Sequence, residues 1–144
     1  MTARQILIDL IQALDRNQRQ LERHLARPTP EHDARLLLLR RRRAAATLRA
    51  SLRYHGLTPP PLPPATRLPL RDSVHDLWHS ERRLLSLYDA ALAHAAPGTP
   101  EHGLLVEQRA GSEQALMDLT RAVHGWRPRP EDPAPIPMHG WRLA

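Results

Sequence analysis

Four side chains near the start of a predicted helix have the types and spacing of metal ligands. His75 and His79 are four residues apart, a separation that places both rings on one helix face, where they can bind zinc or another divalent ion. Asp72 and Asp76 supply carboxylates beside them. Solvated carboxylates are also favoured in the first turn of any helix, and this is the alternative interpretation. The other histidines, among them His24, lie near helix ends, where we expect them to be solvated.

A second set of residues is polar and interrupts the apolar spacing of the predicted helices. Its members are Gln18, Arg41, Glu81, Gln108 and Ser112. Because a buried charge needs a partner, we expect Arg41 to pair with Glu81, with Gln18 and Gln108 hydrogen-bonded to the pair. The alternative is that Arg41 extends its guanidinium to the surface and Glu81 meets water in a groove between helices.

Arginine dominates the charged surface and gives a third candidate site. All 21 basic residues are arginine, and the formal net charge is +6. At about 100° per residue, Arg35, Arg42, Arg49 and Arg53 share one face of a helix, nearly opposite its apolar face. A guanidinium suits phosphate, so this stripe is a candidate anion-binding surface for the backbone of duplex DNA. A solvated face is the alternative, and the bias toward arginine is also typical of GC-rich genomes.

Proline marks the boundaries of the elements that must position these residues. Four long stretches lack proline, and in each the apolar residues recur at spacings of three and four, as Leu7, Leu10 and Leu14 do. The predicted helices cover residues 3–26, 30–55, 72–95 and 100–125. Thr2, Thr29 and Thr99 are expected as N-caps, with Pro30 and Pro100 as first helical residues, and either Asp72 or Ser73 is expected to cap the third helix.

The connection between the second and third helices predicts the topology. Its 15 residues, 57–71, are rich in proline and would reach about 46 Å as a polyproline II strand. This length is enough to span the bundle, so the predicted fold is an all-α four-helix bundle of two antiparallel hairpins joined by a Pro-rich crossover. Residues 1–125 would form the bundle, and residues 126–144 a tail containing proline and tryptophan. The apolar residues of the tail could dock on the bundle or on a neighbouring subunit, or remain loose; they are Trp126, Ile136, Met138, Trp141 and Leu143.

The order of several short segments adds a resemblance to this interpretation. The segments are Leu10-Ile11 after Asp9, Leu52-Arg53-Tyr54-His55-Gly56 before the prolines, Ser80-Glu81, and Tyr88-Asp89-Ala90-Ala91-Leu92. Over residues 5–124 this order resembles a small, uncharacterised bacterial family of ferritin-like proteins. The resemblance implies a ferritin-like bundle, in which catalytic members hold two metals with one Glu on each of two helices and Glu-x-x-His on each of the other two.

The ligands of such a centre are missing from this sequence. Glu-x-x-His occurs nowhere, and after Asp33 the second predicted helix offers Arg40 to Arg43 but no carboxylate. We therefore expect no working di-iron centre, no cofactor and no enzyme activity.

Composition limits the partners. The chain has no cysteine and no apolar stretch of the roughly 20 residues that a membrane helix needs, so we expect a cytoplasmic protein without disulfides or a membrane partner. A protein partner or self-association, for example as a dimer, is the expected mode of action, and nucleic acid is the alternative partner.

Overall fold

The computed structural model describes residues 2–30, 32–61 and 71–124. Within these ranges the chain forms four helices and no strand. They are α1 (Ala3–Leu25), α2 (Arg35–Tyr54), α3 (Val74–His94) and α4 (Pro100–His124). The helices pack together: α1 lies against α2 and α3, and α4 lies against α3, whereas α2 and α4 touch at few positions. The prediction of an all-helical fold with four helices is confirmed. None of the described helices is long and apolar enough to cross a membrane.

Three of the helices begin where the sequence predicts, within two residues, because a side chain caps each N-terminus. The backbone N–H of Gln5 donates to Oγ1 of Thr2 at 3.1 Å, at the start of α1. Before α4, Oγ1 of Thr99 accepts from the N–H of His102 at 3.2 Å. Ser73 and Asp76 form a reciprocal capping box before α3, with both N–H to oxygen distances at 3.2 Å. Each cap satisfies N–H groups that the helix itself leaves unpaired.

The second helix begins later than predicted, at Arg35 rather than at Pro30. Its first residue follows Ala34, which makes no capping hydrogen bond with its side chain. Instead, Asp33 accepts from the backbone N–H of Arg35 at 3.3 Å and from its guanidinium at 2.9 Å. The hydrogen bonds from Arg35 lower the pKa of the Asp33 carboxyl to about 2. The residues before Arg35 are therefore held by side-chain contacts and do not extend the helix.

Buried apolar side chains form two clusters, one toward each end of the bundle. The buried members of the first cluster are Ile6, Leu10, Ile11, Leu14, Ala45, Leu48, Leu52, Leu84, Tyr88, Ala91 and Leu105. The buried members of the second are Leu21, Ala34, Leu37, Leu38, Val74, Leu77, Ala115 and Leu119. Most of these positions follow the predicted three- and four-residue spacing, but Leu7 is only partly covered. Ile6 and Ile11 face the interior beside it.

His24 is fully buried, contrary to the expectation of a solvated side chain. Its Nδ1 lies 2.7 Å from the carbonyl oxygen of Asp72, and its Nε2 lies 3.2 Å from the backbone N–H of His32. Nδ1 can donate to the carbonyl of Asp72, and Nε2 lies 3.2 Å from both the backbone N–H and the carbonyl oxygen of His32. The ring thereby connects the end of α1 with the segments that precede α2 and α3.

The capping box gives a direct test of how α3 is started. Ser73→Ala removes the hydroxyl that accepts from Asp76 and should lower the free energy of unfolding by about 1 kcal/mol. Ser86→Ala is the matched control, because Ser86 is exposed within the same helix and alanine has the higher helix propensity. Urea denaturation followed by circular dichroism measures both changes. Equal losses in the two variants would show that the cap is not the cause.

Candidate functional site

A buried polar layer separates the two apolar clusters in the middle of the bundle. Each helix contributes one member of this layer: Asn17, Arg41, Glu81 and Ser112. None of the four is more than 3% exposed. In each helix, the residues on one side of this position belong to one cluster and those on the other side belong to the second. The layer is therefore enclosed by apolar side chains above and below.

An ion pair forms the centre of this layer. A terminal guanidinium nitrogen of Arg41 donates to Oε1 of Glu81. The hydroxyl of Ser112 donates to the same oxygen at 2.5 Å. Three buried atoms of the layer, Nε of Arg41, Oε2 of Glu81 and Oδ1 of Asn17, have no hydrogen-bond partner among the described residues. The charges of Arg41 and Glu81 are thus paired, but Nε of Arg41 and Oε2 of Glu81 make no hydrogen bond to the described residues.

The two predicted glutamines of the layer lie beside it. Gln18 is partly buried and donates to Asp15, in its own helix, at 3.5 Å. The place expected for it is taken by Asn17, three residues after Leu14 rather than four. Both separations are compatible with the spacing of a helix face, so the sequence alone does not distinguish them.

Gln108 links the hydroxyl of Tyr88 to the backbone of α2. Tyr88 donates to Oε1 of Gln108 at 2.8 Å, and Nε2 of Gln108 donates to the carbonyl of Ala44 at 3.5 Å. Burial raises the pKa of the Tyr88 hydroxyl far above its ordinary value, against the opposing positive charge of Arg41. Tyr88 therefore stays a neutral hydrogen-bond donor beside the ion pair.

A groove of about 410 Å³ opens between α2 and α4 above this layer. Tyr88, Arg41 and Ser112 line it from the interior. Its walls combine apolar side chains, such as Leu37 and Leu104, with further polar and charged ones. The groove exists because α2 and α4 approach each other at few positions. Through this groove, Arg41 and Ser112 of the buried polar layer border the surface of the protein.

The predicted arginine stripe of α2 does not form one open cationic surface. Both terminal nitrogens of Arg49 bond to the carboxylate of Asp15, at 2.8 and 2.5 Å, and this bond raises the pKa of the guanidinium. The two side chains are only 11% and 2% exposed. Arg42 lies 3.2 Å from Glu22, also in α1.

The remaining two members of the stripe differ from each other. Arg35 pairs with Asp33 at the start of α2, and Arg53 is exposed near its end. The stripe was expected nearly opposite the apolar face, but its middle residues lie along the contact with α1. The sequence did not reveal that contact, because Asp15 directly follows a core leucine and its burial is not evident from the spacing.

The four predicted metal ligands are not brought together around one position. Asp72 is bonded to Arg27 and lies 3.9 Å from Arg23. Asp76 accepts hydrogen bonds within the capping box. Among the described residues, no group of three or more histidine, aspartate or glutamate side chains could hold a metal ion.

The two histidines of that cluster are exposed, and the ring of His79 packs edge-on against Trp78 with 4.9 Å between centroids. His75 and His79 therefore lie on the surface of α3, without the two carboxylates that the sequence placed beside them. Asp76 instead caps the helix, as is typical of a carboxylate in a first turn, whereas Asp72 is not solvated and pairs with Arg27. The predicted tail, residues 126–144, lies outside the described residues.

The buried ion pair predicts a coupled loss of stability. Arg41→Met and Glu81→Leu should each lower the free energy of unfolding by about 3–5 kcal/mol, because each leaves one charge buried without its partner. The double variant should lose much less than the sum of the two. Denaturant unfolding of the four proteins measures this coupling. Strictly additive losses would show that the two side chains do not stabilise each other.

The pair between Arg49 and Asp15 predicts a structural role for an arginine of the stripe. Arg49→Gln leaves the buried carboxylate of Asp15 unpaired and should cost about 3 kcal/mol of unfolding free energy. Arg53→Gln makes the same chemical change at an exposed position of α2 and should alter stability by no more than about 0.5 kcal/mol. Thermal and denaturant melts compare the two. A similar effect of both substitutions would contradict the structural role.

Comparison with known proteins gives no functional assignment. The chain matches no family model, and comparisons with the curated proteins and with the solved structures give no match either. What the protein does is therefore inferred from three features of the described residues: the buried polar layer, the groove above it, and the pairing of the arginines of α2.

Proposed function

We propose that this protein is a non-catalytic, ferritin-like four-helix bundle that acts as a protein-interaction module and has no working di-metal centre. The observation that carries the proposal is the buried layer of Arg41, Glu81 and Ser112. In a metal-binding bundle of this kind, inward carboxylates and histidines surround cations at the middle of the helices. Here a guanidinium lies at the middle and supplies the positive charge.

The contacts of the first two helices support an antiparallel hairpin. Asp15 of α1 pairs with Arg49 of α2, and Glu22 pairs with Arg42. A later position on α1 thus faces an earlier position on α2, as it must when two helices run in opposite directions.

The same relation holds for α3 and α4. Asp89 lies 2.5 Å from Arg109, and the indole N–H of Trp78 donates to Thr120 at 3.0 Å. These contacts support a second antiparallel hairpin.

The clusters support a crossover between the hairpins. Leu37 of α2 and Leu77 of α3 belong to one apolar cluster, while Leu52 and Leu84 belong to the other. This distribution supports a parallel arrangement of α2 and α3, which would require the chain between them to connect opposite ends of the bundle. Arg49 donates to the carbonyl of Pro60 at 3.2 and 3.3 Å, which fixes the beginning of this connection beside α2. Such a crossover is typical of ferritin-like bundles.

The charges of the layer disfavour a cation at its centre. Glu81 is the carboxylate of the layer, and one of its oxygens already accepts from Arg41 and Ser112. A metal ion bound at Glu81 would lie beside a fixed guanidinium, and like charges repel strongly where water is excluded. Arg35–Tyr54, the whole of α2, contains no Asp or Glu that could offset this repulsion.

An interaction role is supported by the apolar side chains that the bundle exposes. Leu36 and Leu39 of α2 are 60% and 59% exposed, and Val106 of α4 is 47% exposed. The two leucines lie on α2, which touches α4 at few positions, whereas Val106 lies about 100° or more around α4 from the residues that line the groove. Exposed apolar groups beside a groove are typical of protein-binding surfaces.

Binding to the DNA backbone has less support. Of the four arginines proposed for it, Arg35, Arg42 and Arg49 are paired with carboxylates of this chain. Phosphates would have to compete with these pairs, and the pair of Arg49 is almost completely buried.

Metal retention tests the proposed absence of a di-metal centre. The full chain is incubated without oxygen with Fe²⁺, Mn²⁺ or Zn²⁺, desalted and measured by elemental analysis. We expect well below one ion per chain, because Arg41 occupies the centre of the polar layer. Two retained ions per chain would contradict the proposal. One ion, lost in the variant His75→Ala/His79→Ala, would instead assign metal binding to the surface of α3.

A further inference from the structure

We propose that the groove between α2 and α4 is the docking site for an acidic, leucine-bearing amphipathic helix of a partner protein. This inference rests on the proposed interaction function and names the surface and the chemistry of the partner. It is carried by three observations that meet at one place: a gap between two helices, arginines at its edge, and exposed leucines along the same face of α2.

The gap has apolar side chains on both of its walls. Two helices bound it, with Leu37 and Ala44 on α2 and Leu104 on α4 as apolar lining. Tyr88 closes it from the interior and is itself buried. A groove between two helices with apolar side chains in its walls can accept the apolar face of a third helix, which contributes residues at positions i, i+3, i+4 and i+7.

The charges around the groove select an acidic partner. Arg40 and Arg43 line it and are exposed, and neither forms an ion pair among the described residues. Arg41 lines it from the interior, where its Nε is buried without a hydrogen-bond partner in the described part of the chain. Among the described residues of the lining, Glu107 is the carboxylate. The charge of Arg41 is balanced by Glu81, which leaves the two exposed guanidinium groups of Arg40 and Arg43 against Glu107, and this balance favours an occupant with carboxylates at its edges.

The leucines of α2 extend this surface along the helix. At about 100° per residue, Leu36 lies some 40° from Arg40 around the helix axis, within the sector that lines the groove. Leu39 lies at the edge of the same sector, next to Arg43 in projection. Both leucines are more than half exposed. Apolar contact along the centre and positive charge at the edge together match a helix with one leucine face bordered by glutamate or aspartate.

Two other occupants fit these observations less well. A second copy joined by a two-fold axis through this face would bring Arg40 and Arg43 close to the same arginines of its partner. Duplex nucleic acid would satisfy the arginines but would leave Leu36 and Leu39 in water, because its backbone offers phosphates and sugars at the surface. An acidic amphipathic helix satisfies both kinds of side chain at once.

The test uses a designed, fluorescein-labelled helical peptide with leucines at i, i+3, i+4 and i+7 and glutamates at the remaining positions. Its binding to the full chain is followed by fluorescence anisotropy at physiological salt. We expect saturable binding that weakens at least tenfold in the variant Arg40→Glu/Arg43→Glu. The matched control is Arg16→Glu/Arg53→Glu, which changes the net charge equally at exposed positions outside the groove and should weaken binding less than threefold.

Two further measurements separate docking from general charge attraction. A peptide with serine in place of the leucines should lose most of the affinity, and so should the variant Leu36→Gln/Leu39→Gln. In an NMR titration of the full chain, the peptide should shift the amide signals of Thr47, Gln108 and Gly111, which line the groove. Circular dichroism confirms that each variant keeps its helical content.

Several results would overturn the proposal. They are equal losses in the two arginine variants, equal binding of the serine peptide, shifts confined to other surfaces, or no binding at all. These results would leave the metal measurement unaffected, so failure of the groove assignment is distinguishable from failure of the proposed bundle without a di-metal centre.

Discussion

The ion pair between Arg41 and Glu81 is the interaction around which this bundle is arranged. It lies between the two apolar clusters, and it joins α2 to α3, two helices that have few other contacts with each other. Removing two charges from water costs several kcal/mol per ion, so the pair is not a simple gain in stability. A one-turn shift of either helix would leave a charge among leucines, and the native register is the one that avoids this.

The same pair explains why α2 has less contact with the other helices than α1, α3 or α4 has. Arg41 of α2 must reach across to Glu81 of α3. Gln108 of α4 contacts the backbone of α2 through a hydrogen bond of 3.5 Å to the carbonyl of Ala44, and this contact is polar rather than apolar. The contact of α2 with α4 is correspondingly thin, whereas its contact with α1 is reinforced by the bonds from Arg49 to Asp15. One side of α2 is thus fixed by charge pairs, and the other side borders a groove.

The sequence predicted the helices better than the side-chain partners. Missing prolines and three- and four-residue spacing predict the helices, and the capping residues Ser73 and Thr99 place two starts correctly within two residues. Spacing cannot decide between Asn17 and Gln18, because both follow Leu14 by a distance that returns to the same helix face. It also cannot show that Asp15 is buried, since that depends on the direction in which α2 crosses α1. The start of α2 was missed because His24 and Asp33 bind the residues that would otherwise extend it.

The ion pairs that several arginines form within the chain give a structural reason for the use of arginine in place of lysine. Arg49 binds both oxygens of Asp15 and also a backbone carbonyl, and Arg109 lies 2.5 Å from Asp89 and 3.2 Å from Glu113. A guanidinium can make several such bonds at once because its donors lie in one plane at fixed angles, whereas the ammonium of lysine is a single point charge. A basic composition that first indicates contact with phosphates is therefore used in part for ion pairs within the chain, of which those of Arg41 and Arg49 are largely buried. The arginines that remain for a partner are those without a carboxylate of their own chain, and Arg40 and Arg43 place that charge at the edge of the groove.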